Sequence, residues 1–325
     1  MNSNHIKGKR VLLAGGSGFV GSHLVKHFQE AGAEIFILDP ETPRMARIFN
    51  GFIPRFTYYR SDLLNQYELH EIIAKVWPEV VIHLGASLNR ERNYPNIYKG
   101  IYSDIQGTVN LMESISGTDY EHFLYFSSAE VYGNTHVPPF EESMHSKPVS
   151  PYSATKIATE QFVITCSAIN KRPYTILRPF QLYGEGQSMN MFIPEFINTA
   201  LKGIPFRMTY GKQTRDLVYI DDLCSAVLSV CLTKTTFNEV LNICSGVEVS
   251  MIEMAELMSE LMGGVELLPG SYEYKGDEIW NLFGSAVKMK KMTGWQAQTP
   301  MLEGLTRTIN WFRQNETENR EHHES

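Results

Sequence analysis

Apolar residues in the first half of the chain fall in short unbroken runs. Val11-Leu12-Leu13-Ala14, most of Glu34 to Leu38, and Val80-Val81-Ile82 within Glu79 to Leu84 show no alternation with polar residues. Such a run suits a strand covered on both faces, as in a parallel sheet. Phe56 to Arg60, His122 to Ser127 and Tyr174 to Leu177 add three more candidate strands. The stretches between them carry helical periodicity. One runs from Phe19 to Ala31 and meets Gly32, a residue suited to a C-cap. Another runs from Asp104 to Ile115, with Ile105, Val109 and Leu111-Met112 on its apolar side. A third opens at Pro151, proline being well placed in a first helical turn. This alternation predicts an α/β fold built on a doubly wound parallel sheet.

The pattern changes after Arg178. A loop-like stretch from Pro179 to Asn190 precedes a helix at Ile193 to Leu201, and short strand-like and helical pieces then alternate irregularly among Gly and Pro. Residues 1–178 are therefore expected to form the sheet domain. The chain returns to it near 217–245, with a strand at Val240 to Ile243. Residues 179–313 are expected to form mainly a smaller C-terminal substrate lobe. Residues 314–325 are polar and charged and read as a frayed tail. The Pro-rich loop from Gly133 to Ser150 is long enough to be functional or mobile.

The first run leads into Gly15-Gly16-Ser17-Gly18-Phe19-Val20-Gly21. Gly16, Gly18 and Gly21 fit G-x-G-x-x-G, and Gly15, Gly18 and Gly21 fit G-x-x-G-x-x-G. Glycine supplies positive φ in the turn, lets the backbone lie against a pyrophosphate and lets the helix pack close to the strand. The helix beginning at Phe19 and Val20 then aims free N–H groups and its positive dipole end at the phosphates. Placed between a strand and a helix, the pattern marks a Rossmann-type dinucleotide site. Asp39 closes the second strand, where an acid accepts hydrogen bonds from the adenosine ribose of NAD and repels a 2′-phosphate. The nearby Arg44 leaves NADP open. Gly85-Ala86-Ser87 follows the fourth strand with little side-chain bulk. Ligands in such sheets lie beyond the carboxyl ends of the strands. That rule lines Gly15, Asp39, Asp62, Gly85 and Ser127-Ser128 along one edge. Asp62 either caps the next helix or reaches the adenine amino group, and residue preference alone favours the cap.

Composition narrows the partners. The chain has 325 residues, is 43% hydrophobic and carries a formal net charge of −7, so nucleic acid and anionic membranes are not expected as partners. No apolar run is long enough to span a bilayer, and the stretch before Arg10 lacks an apolar signal core, which points to the cytoplasm. The four cysteines (Cys166, Cys224, Cys231, Cys244) are scattered, and read as small apolar residues in a reducing compartment. His23 and His27 lie one helical turn apart, a spacing that could seat zinc. No third ligand is evident, so they read as surface histidines, with no metal expected.

Tyr152 and Lys156 share one helix face. A free tyrosine is a poor base at neutral pH, but a neighbouring ammonium favours the phenolate. Lys156 can supply that charge and also bond the nicotinamide ribose. Ser128, at a strand end, can hold a substrate hydroxyl against the tyrosine. Together they make a proton-transfer site beside a hydride acceptor.

Further pieces match a known pattern: Asp62-Leu63, His83-Leu84-Gly85-Ala86, Gly107-Thr108-Val109-Asn110-Leu111, Ser127-Ser128-Ala129-Glu130-Val131-Tyr132-Gly133, Arg178-Pro179-Phe180, Tyr183-Gly184, and Arg215-Asp216 before Tyr219-Ile220-Asp221-Asp222. Gly294-Trp295 and Asn310-Trp311-Phe312 complete them. With the glycine turn and the Tyr–Lys pair, the chain resembles an extended short-chain dehydrogenase/reductase of the NAD-dependent nucleotide-sugar epimerase/dehydratase family. The resemblance implies NAD as cofactor and Ser128, Tyr152 and Lys156 as the catalytic set, Tyr152 and Lys156 also touching the dinucleotide. It implies that Asp62 and Leu63 hold adenine, reversing the cap preference, and that Leu84 and Gly85 line the dinucleotide. Ser128, Glu130, Gln181 and Arg215 would meet the substrate, Arg215 at its diphosphate. A homodimer through a four-helix bundle is implied, from the helices near Gly107 to Ser116 and Ser153 to Ser167. Three positions depart from the family. Asp104 and Gln181 stand where Asn is usual, and Ile279-Trp280 stand where a second phosphate-binding arginine is often found.

The expected activity is an NAD-dependent nucleotide-sugar epimerase that inverts C4 through a transient 4-keto sugar. Alternatives on the same scaffold are a reductase, dehydratase or decarboxylase; a non-catalytic NAD-binding partner is opposed by retention of Ser128, Tyr152 and Lys156. The sugar 4,6-dehydratases that the chain resembles carry an acid pair after the catalytic Ser/Thr. Here the segment reads Ser128-Ala129-Glu130, and Ala129 has no proton to give.

Overall fold

The structure, a computed structural model, describes residues 6–43, 52–85, 91–134, 137–274, 276 and 278–324; Arg44, Ala86 and Ser87 lie outside them. The first half of the chain runs β1 (Arg10–Ala14), α1 (Phe19–Glu30), β2 (Glu34–Leu38), β3 (Thr57–Tyr59), α2 (Gln66–Val76), β4 (Val80–His83), α3 (Tyr94–Gly100), α4 (Gly107–Ser114), β5 (His122–Phe126), α5 (Pro151–Asn170) and β6 (Tyr174–Pro179). The second half runs β7 (Gln181–Tyr183), α6 (Phe192–Leu201), β8 (Phe206–Met208), β9 (Thr214–Arg215), β10 (Leu217–Tyr219), α7 (Ile220–Cys231), β11 (Glu239–Ile243), β12 (Val249–Ser250), α8 (Met251–Leu261), β13 (Leu267–Pro269), β14 (Asn281–Leu282), α9 (Val287–Thr293) and α10 (Met301–Glu324).

Among the described residues, seven strands form one sheet in the order β11-β6-β5-β4-β1-β2-β3. Every neighbouring pair in it is parallel. The apolar runs are explained by cover on both faces. Val11, Leu13, Ile35, Ile37, Val80 and Ile82 join the apolar cluster on one face; Leu12, Ala14, Phe36, Leu38 and Val81 join the cluster on the other. The order reverses between β1 and β4, which opens a crevice at their carboxyl ends.

The remaining strands pair locally: β7 with β10 and β8 with β13, both parallel, and β9 with antiparallel β12 and parallel β14. Their core is continuous with the main one. Phe196 and Ile197 of α6, Met258 of α8 and Leu305 and Ile309 of α10 belong to the same cluster as Val11 and Leu13. The chain comes back to the main sheet at β11, which pairs with β6.

Four local expectations are corrected. Residues 314–324 are helical rather than frayed, continuing α10. Leu305, Thr308 and Ile309 anchor its first turns in the core, and Glu, Gln and Arg cost a helix little. The helix expected from Asp104 is preceded by α3 and begins inside a π-helical stretch, Ile101–Gln106. Asn65, not Asp62, caps α2 by accepting the Glu68 N–H, while Asp62 accepts the Leu64 N–H at 2.9 Å in a local turn. His23 is buried, not on the surface, because α1 packs against α7. Its Nε2 meets the Glu185 carbonyl at 2.8 Å, and burial drives its pKa down to about 4. Among the described residues no group of three His, Cys, Asp or Glu could hold a metal, and no helix is long and apolar enough to cross a membrane.

One buried ion pair ties the sheet to α5. Arg178 of β6 donates to Glu160 of α5 through Nε at 3.0 Å and Nη2 at 2.7 Å. Ser127, just past β5, donates to the same carboxylate. Burial opposes the Arg178 charge, yet the bidentate carboxylate outweighs it and raises its pKa further. Removing one partner of such a pair leaves an uncompensated buried charge. Glu160→Ala is expected to destabilise the fold by about 3–5 kcal/mol in urea unfolding. Removing Glu303, half-exposed and paired with Arg307 one turn away on α10, should cost less than about 0.5 kcal/mol. Equal losses in the two variants would refute the assignment.

Candidate active site

The turn after β1 is closed by glycines that approach other backbone. Gly15 has φ of +84°, and a Cβ there would stand 2.5 Å from the Gly85 nitrogen. A Cβ on Gly21 would overlap the Gly16 carbonyl. Gly18 differs: it meets nothing within 4 Å and caps α1 without a side-chain hydrogen bond. The N-terminus of α1, at Phe19 and Val20, is thus left to an anion. Ser17 Oγ, in the same turn, is buried without a hydrogen-bond partner. Asp39 is buried beside the turn, its Oδ2 accepting the Ser17 N–H at 3.0 Å and its Oδ1 the Glu41 N–H at 2.8 Å. An uncapped helix, an orphaned hydroxyl and an acid beside them fit a dinucleotide whose ribose carries no 2′-phosphate.

The neighbouring strand end completes this cradle. Leu84 and Gly85 both donate to the Ala14 carbonyl, at 2.8 and 3.1 Å, which extends the β1–β4 ladder toward the crevice. Leu63 lies against Gly85 and Gly107, its Cδ1 within 3.8 Å of the place a Gly85 Cβ would take. Its carbonyl accepts from Asn110 Nδ2 at 2.9 Å. Asp62 immediately precedes Leu63 on the same segment.

The next part of the site is on α5. Ser150 caps this helix through a reciprocal bond pair with Ser153, and Pro151 fills its first turn. Tyr152 and Lys156 are both buried. Lys156 Nζ donates to the Phe126 carbonyl at 2.5 Å. It lies 4.8 Å from the Tyr125 ring centroid and 6.0 Å from that of Tyr152. Burial lowers the Lys156 pKa to about 8, opposed by the charges of Asp104 and Glu160. Asp104 is buried in the π-helical stretch and accepts from Thr155 at 3.1 Å and Ser103 at 2.7 Å. Its departure from the usual Asn thus brings a full charge to the ammonium's surroundings. His83 is buried and pushed down to about 3, by burial first and by Lys156 second. Thr108 donates to the Asp104 carbonyl, so His83 donates from Nε2 to the Thr108 hydroxyl, at 2.8 Å.

Ser128 ends the β5 segment and caps a single 3₁₀ turn, Ala129–Tyr132, its Oγ accepting the Glu130 N–H at 3.2 Å. That turn sets Glu130 in the wall of a cavity of about 440 Å³. Gln181 and Arg215 line the same cavity, brought there by β7 and β9, as does Ser150. Ser128, Tyr152 and Lys156 do not line it; they stand beside it in the chain, two residues from Glu130 or on the helix that Ser150 caps. The apolar wall includes Phe192, Ile193, Leu217, Met251 and Met254.

Three lining residues carried no sequence signal: Gln187, Gln213 and Glu278. Gln187 Nε2 donates to the Leu182 carbonyl at 2.7 Å, so its Oε1 is an acceptor, and it is buried without a partner, as is Gln213 Oε1. Buried acceptors of this kind suit a ligand with N–H or O–H donors. Glu278 pairs with Arg215 at 2.7 Å. Each of the three lies on irregular or edge backbone and reaches the cavity only through tertiary pairing.

The comparisons agree with this geometry. A family model described as the NAD dependent epimerase/dehydratase family matches residues 11–244. A Methanocaldococcus jannaschii protein named "Putative UDP-glucose 4-epimerase" is 30% identical, the match covering 94% of this chain and 99% of that one. Human dTDP-D-glucose 4,6-dehydratase is 27% identical, covering 94% and 91%. Among solved structures, the Thermotoga maritima UDP-glucose 4-epimerase with UDP-glucose superposes with a TM-score of 0.83 at 26% identity, covering 94% of this chain and 98% of that one. With its parallel sheet, glycine turn and Tyr152–Lys156 pair, the chain belongs to the NAD dependent epimerase/dehydratase family.

Proposed function

We propose that the protein is a nucleotide-sugar epimerase that inverts C4. Residues 1–178 hold the dinucleotide: Gly15, Gly18, Phe19, Val20 and Gly21 at the pyrophosphate, Asp39 at the adenosine ribose, Asp62 and Leu63 at adenine, and Leu84 and Gly85 along its length. Residues 179–313 contribute most of the sugar-nucleotide site, with Gln181 and Arg215 in its wall. Held by these residues, NAD would supply the hydride acceptor for the sugar carbon. Tyr152 takes the hydroxyl proton as the hydride leaves and gives it back on return. Lys156 keeps the phenolate favoured, and Ser128 orients the hydroxyl.

The observation that carries epimerisation over dehydration is the segment after Ser128. Elimination of water across C5–C6 needs a base for the C5 proton and an acid for the departing hydroxyl. Glu130 lines the cavity, but Ala129 is buried and apolar. Neither chain neighbour of Glu130, Ala129 or Val131, has a proton to give. Losing one general acid costs on the order of 10²–10⁴ in rate.

An exposed apolar face supports a homodimer. Tyr94, Ile97, Tyr98, Ile101 and Tyr102, along α3 and the π-helical stretch, are exposed, as are Phe162 and Ile169 on α5. These elements pack against each other. An apolar face of this kind on one helix pair suits a second copy and a four-helix bundle. Most of α4 is buried within the chain, so α3 rather than α4 supplies the exposed part.

Incubation with NDP-hexoses in heavy water is expected to give C4 epimers of unchanged mass, without deuterium at C5. A product lighter by one water, or labelled at C5, would overturn the epimerase reading. Tyr152→Phe should retain NAD and lose on the order of 10²–10⁴ in kcat. Since Lys156 carries its charge below about 8 and loses it above, kcat/KM should fall at alkaline pH; a profile level well above pH 8 would contradict that role. Light scattering should give a dimer, and Tyr98→Glu with Ile101→Glu a monomer. A wild-type monomer would refute the bundle.

A further inference from the structure

Arg215 is the only cation among the described residues lining the cavity, and Glu130 and Glu278 oppose it. Its guanidinium is held by the protein. Both Nη1 hydrogens are taken, by the Thr214 carbonyl at 2.8 Å and the Ile279 carbonyl at 2.7 Å, and Nη2 donates to Glu278 Oε1 at 2.7 Å. A phosphate approaching the remaining donors would stand beside a carboxylate, and like charges at that separation repel.

The carboxylate is placed by design of the backbone around it. Asn134, just past the turn bearing Ser128 and Glu130, donates to the Glu278 carbonyl at 2.8 Å and accepts the Trp280 N–H at 3.3 Å. Thr214 donates to the Trp280 carbonyl at 2.7 Å, and β14 then pairs with β9 so that Leu282 stands opposite Arg215. The main chain from Glu278 to Trp280 is thus held by hydrogen bonds, so an exchange at Arg215 falls to the Glu278 side chain. Ile279, with the exposed Trp280, adds no second cation.

We propose that Glu278 is an internal competitor for Arg215: a nucleoside diphosphate entering the cavity exchanges with this carboxylate, which swings away as the phosphate takes its place on the guanidinium. This rests on the nucleotide-sugar reading of the cavity and adds to it. Affinity is then set by the difference between two anions on one arginine. Ligands lacking a diphosphate cannot drive the exchange. The cavity's unpaired acceptors, Gln187 Oε1 and Gln213 Oε1, are left for hydroxyl or N–H donors of the nucleoside.

The test is calorimetry on the NAD-loaded protein with UDP, dTDP, GDP, ADP and CDP in turn. Glu278→Gln keeps the shape and removes the charge. It is expected to tighten the best-bound diphosphate roughly ten-fold, the scale of one charge-assisted hydrogen bond. Arg215→Ala should weaken it, and the gain should vanish in the double variant. Glu278→Ser serves as a second charge-removing variant should Glu278→Gln fold poorly. Equal or weaker binding in both Glu278 variants overturns the exchange, and shows that Glu278 contacts the ligand itself or is inert. Turnover of an NDP-hexose by the wild type separates the two ideas. Turnover without the gain removes the exchange alone; no diphosphate binding and no turnover remove both.

Discussion

A lysine ammonium buried beneath the ends of β4 and β5 is the constraint on which the centre of this molecule depends. Lys156 is 2% exposed and has no bulk water to solvate it. Its solvation comes from fixed protein groups: the Phe126 carbonyl, the Tyr125 face, and the charges of Asp104 and Glu160. Each has its own support. Glu160 is neutralised by Arg178 on β6, Asp104 is bonded by Thr155 and Ser103, and His83 is kept uncharged by burial. Removing water from a charge is costly unless its partners are in place. That cost links the packing of α5 onto the sheet to the surroundings of Tyr152, one turn away.

The two sides of the site are built by different physics. The dinucleotide side is local and steric. A tight turn, glycines without Cβ atoms and an uncapped helix occupy one short stretch, and each is required by close backbone approach. The sugar-nucleotide side is assembled from distant pieces. Glu130 comes from a 3₁₀ turn, Gln181 and Arg215 from small paired strands, and Glu278 from the segment entering β14. This side has carboxylates and amides where the other has backbone N–H groups.

Both departures with an electrostatic consequence add or expose negative charge. Asp104 stands where an amide is usual, near the buried Lys156, and favours its protonated form. Near Arg215, the family's second cation is missing while Glu278 is present. The first favours a cation in a dry site; the second already occupies a guanidinium from within the protein. The same residue type acts in opposite directions because one carboxylate faces a buried ammonium and the other a ligand-binding guanidinium.

The sheet, the glycine turn, Asp39 and the Tyr152–Lys156 pair were legible along the chain because their causes are local. A strand buried on both faces must be apolar at every position, a turn against backbone must be glycine, and residues four apart on a helix must share a face. Arg215 was legible only through family resemblance. Other features had no local cause. Asn65 rather than Asp62 caps α2, because Asp62 is taken up in a local turn with Leu64. His23 looks like a surface residue until α7 covers it, and the polar end of α10 looks like a tail until its apolar start is anchored in the core. Glu278 and Arg215 are 63 positions apart, and Gln187 and Gln213 sit on backbone with no periodicity. Sequence alone determined the glycine turn and the shared helix face of Tyr152 and Lys156; only the tertiary structure decided which charges line the cavity, because those side chains meet through strand pairing between segments that carry no mark of one another.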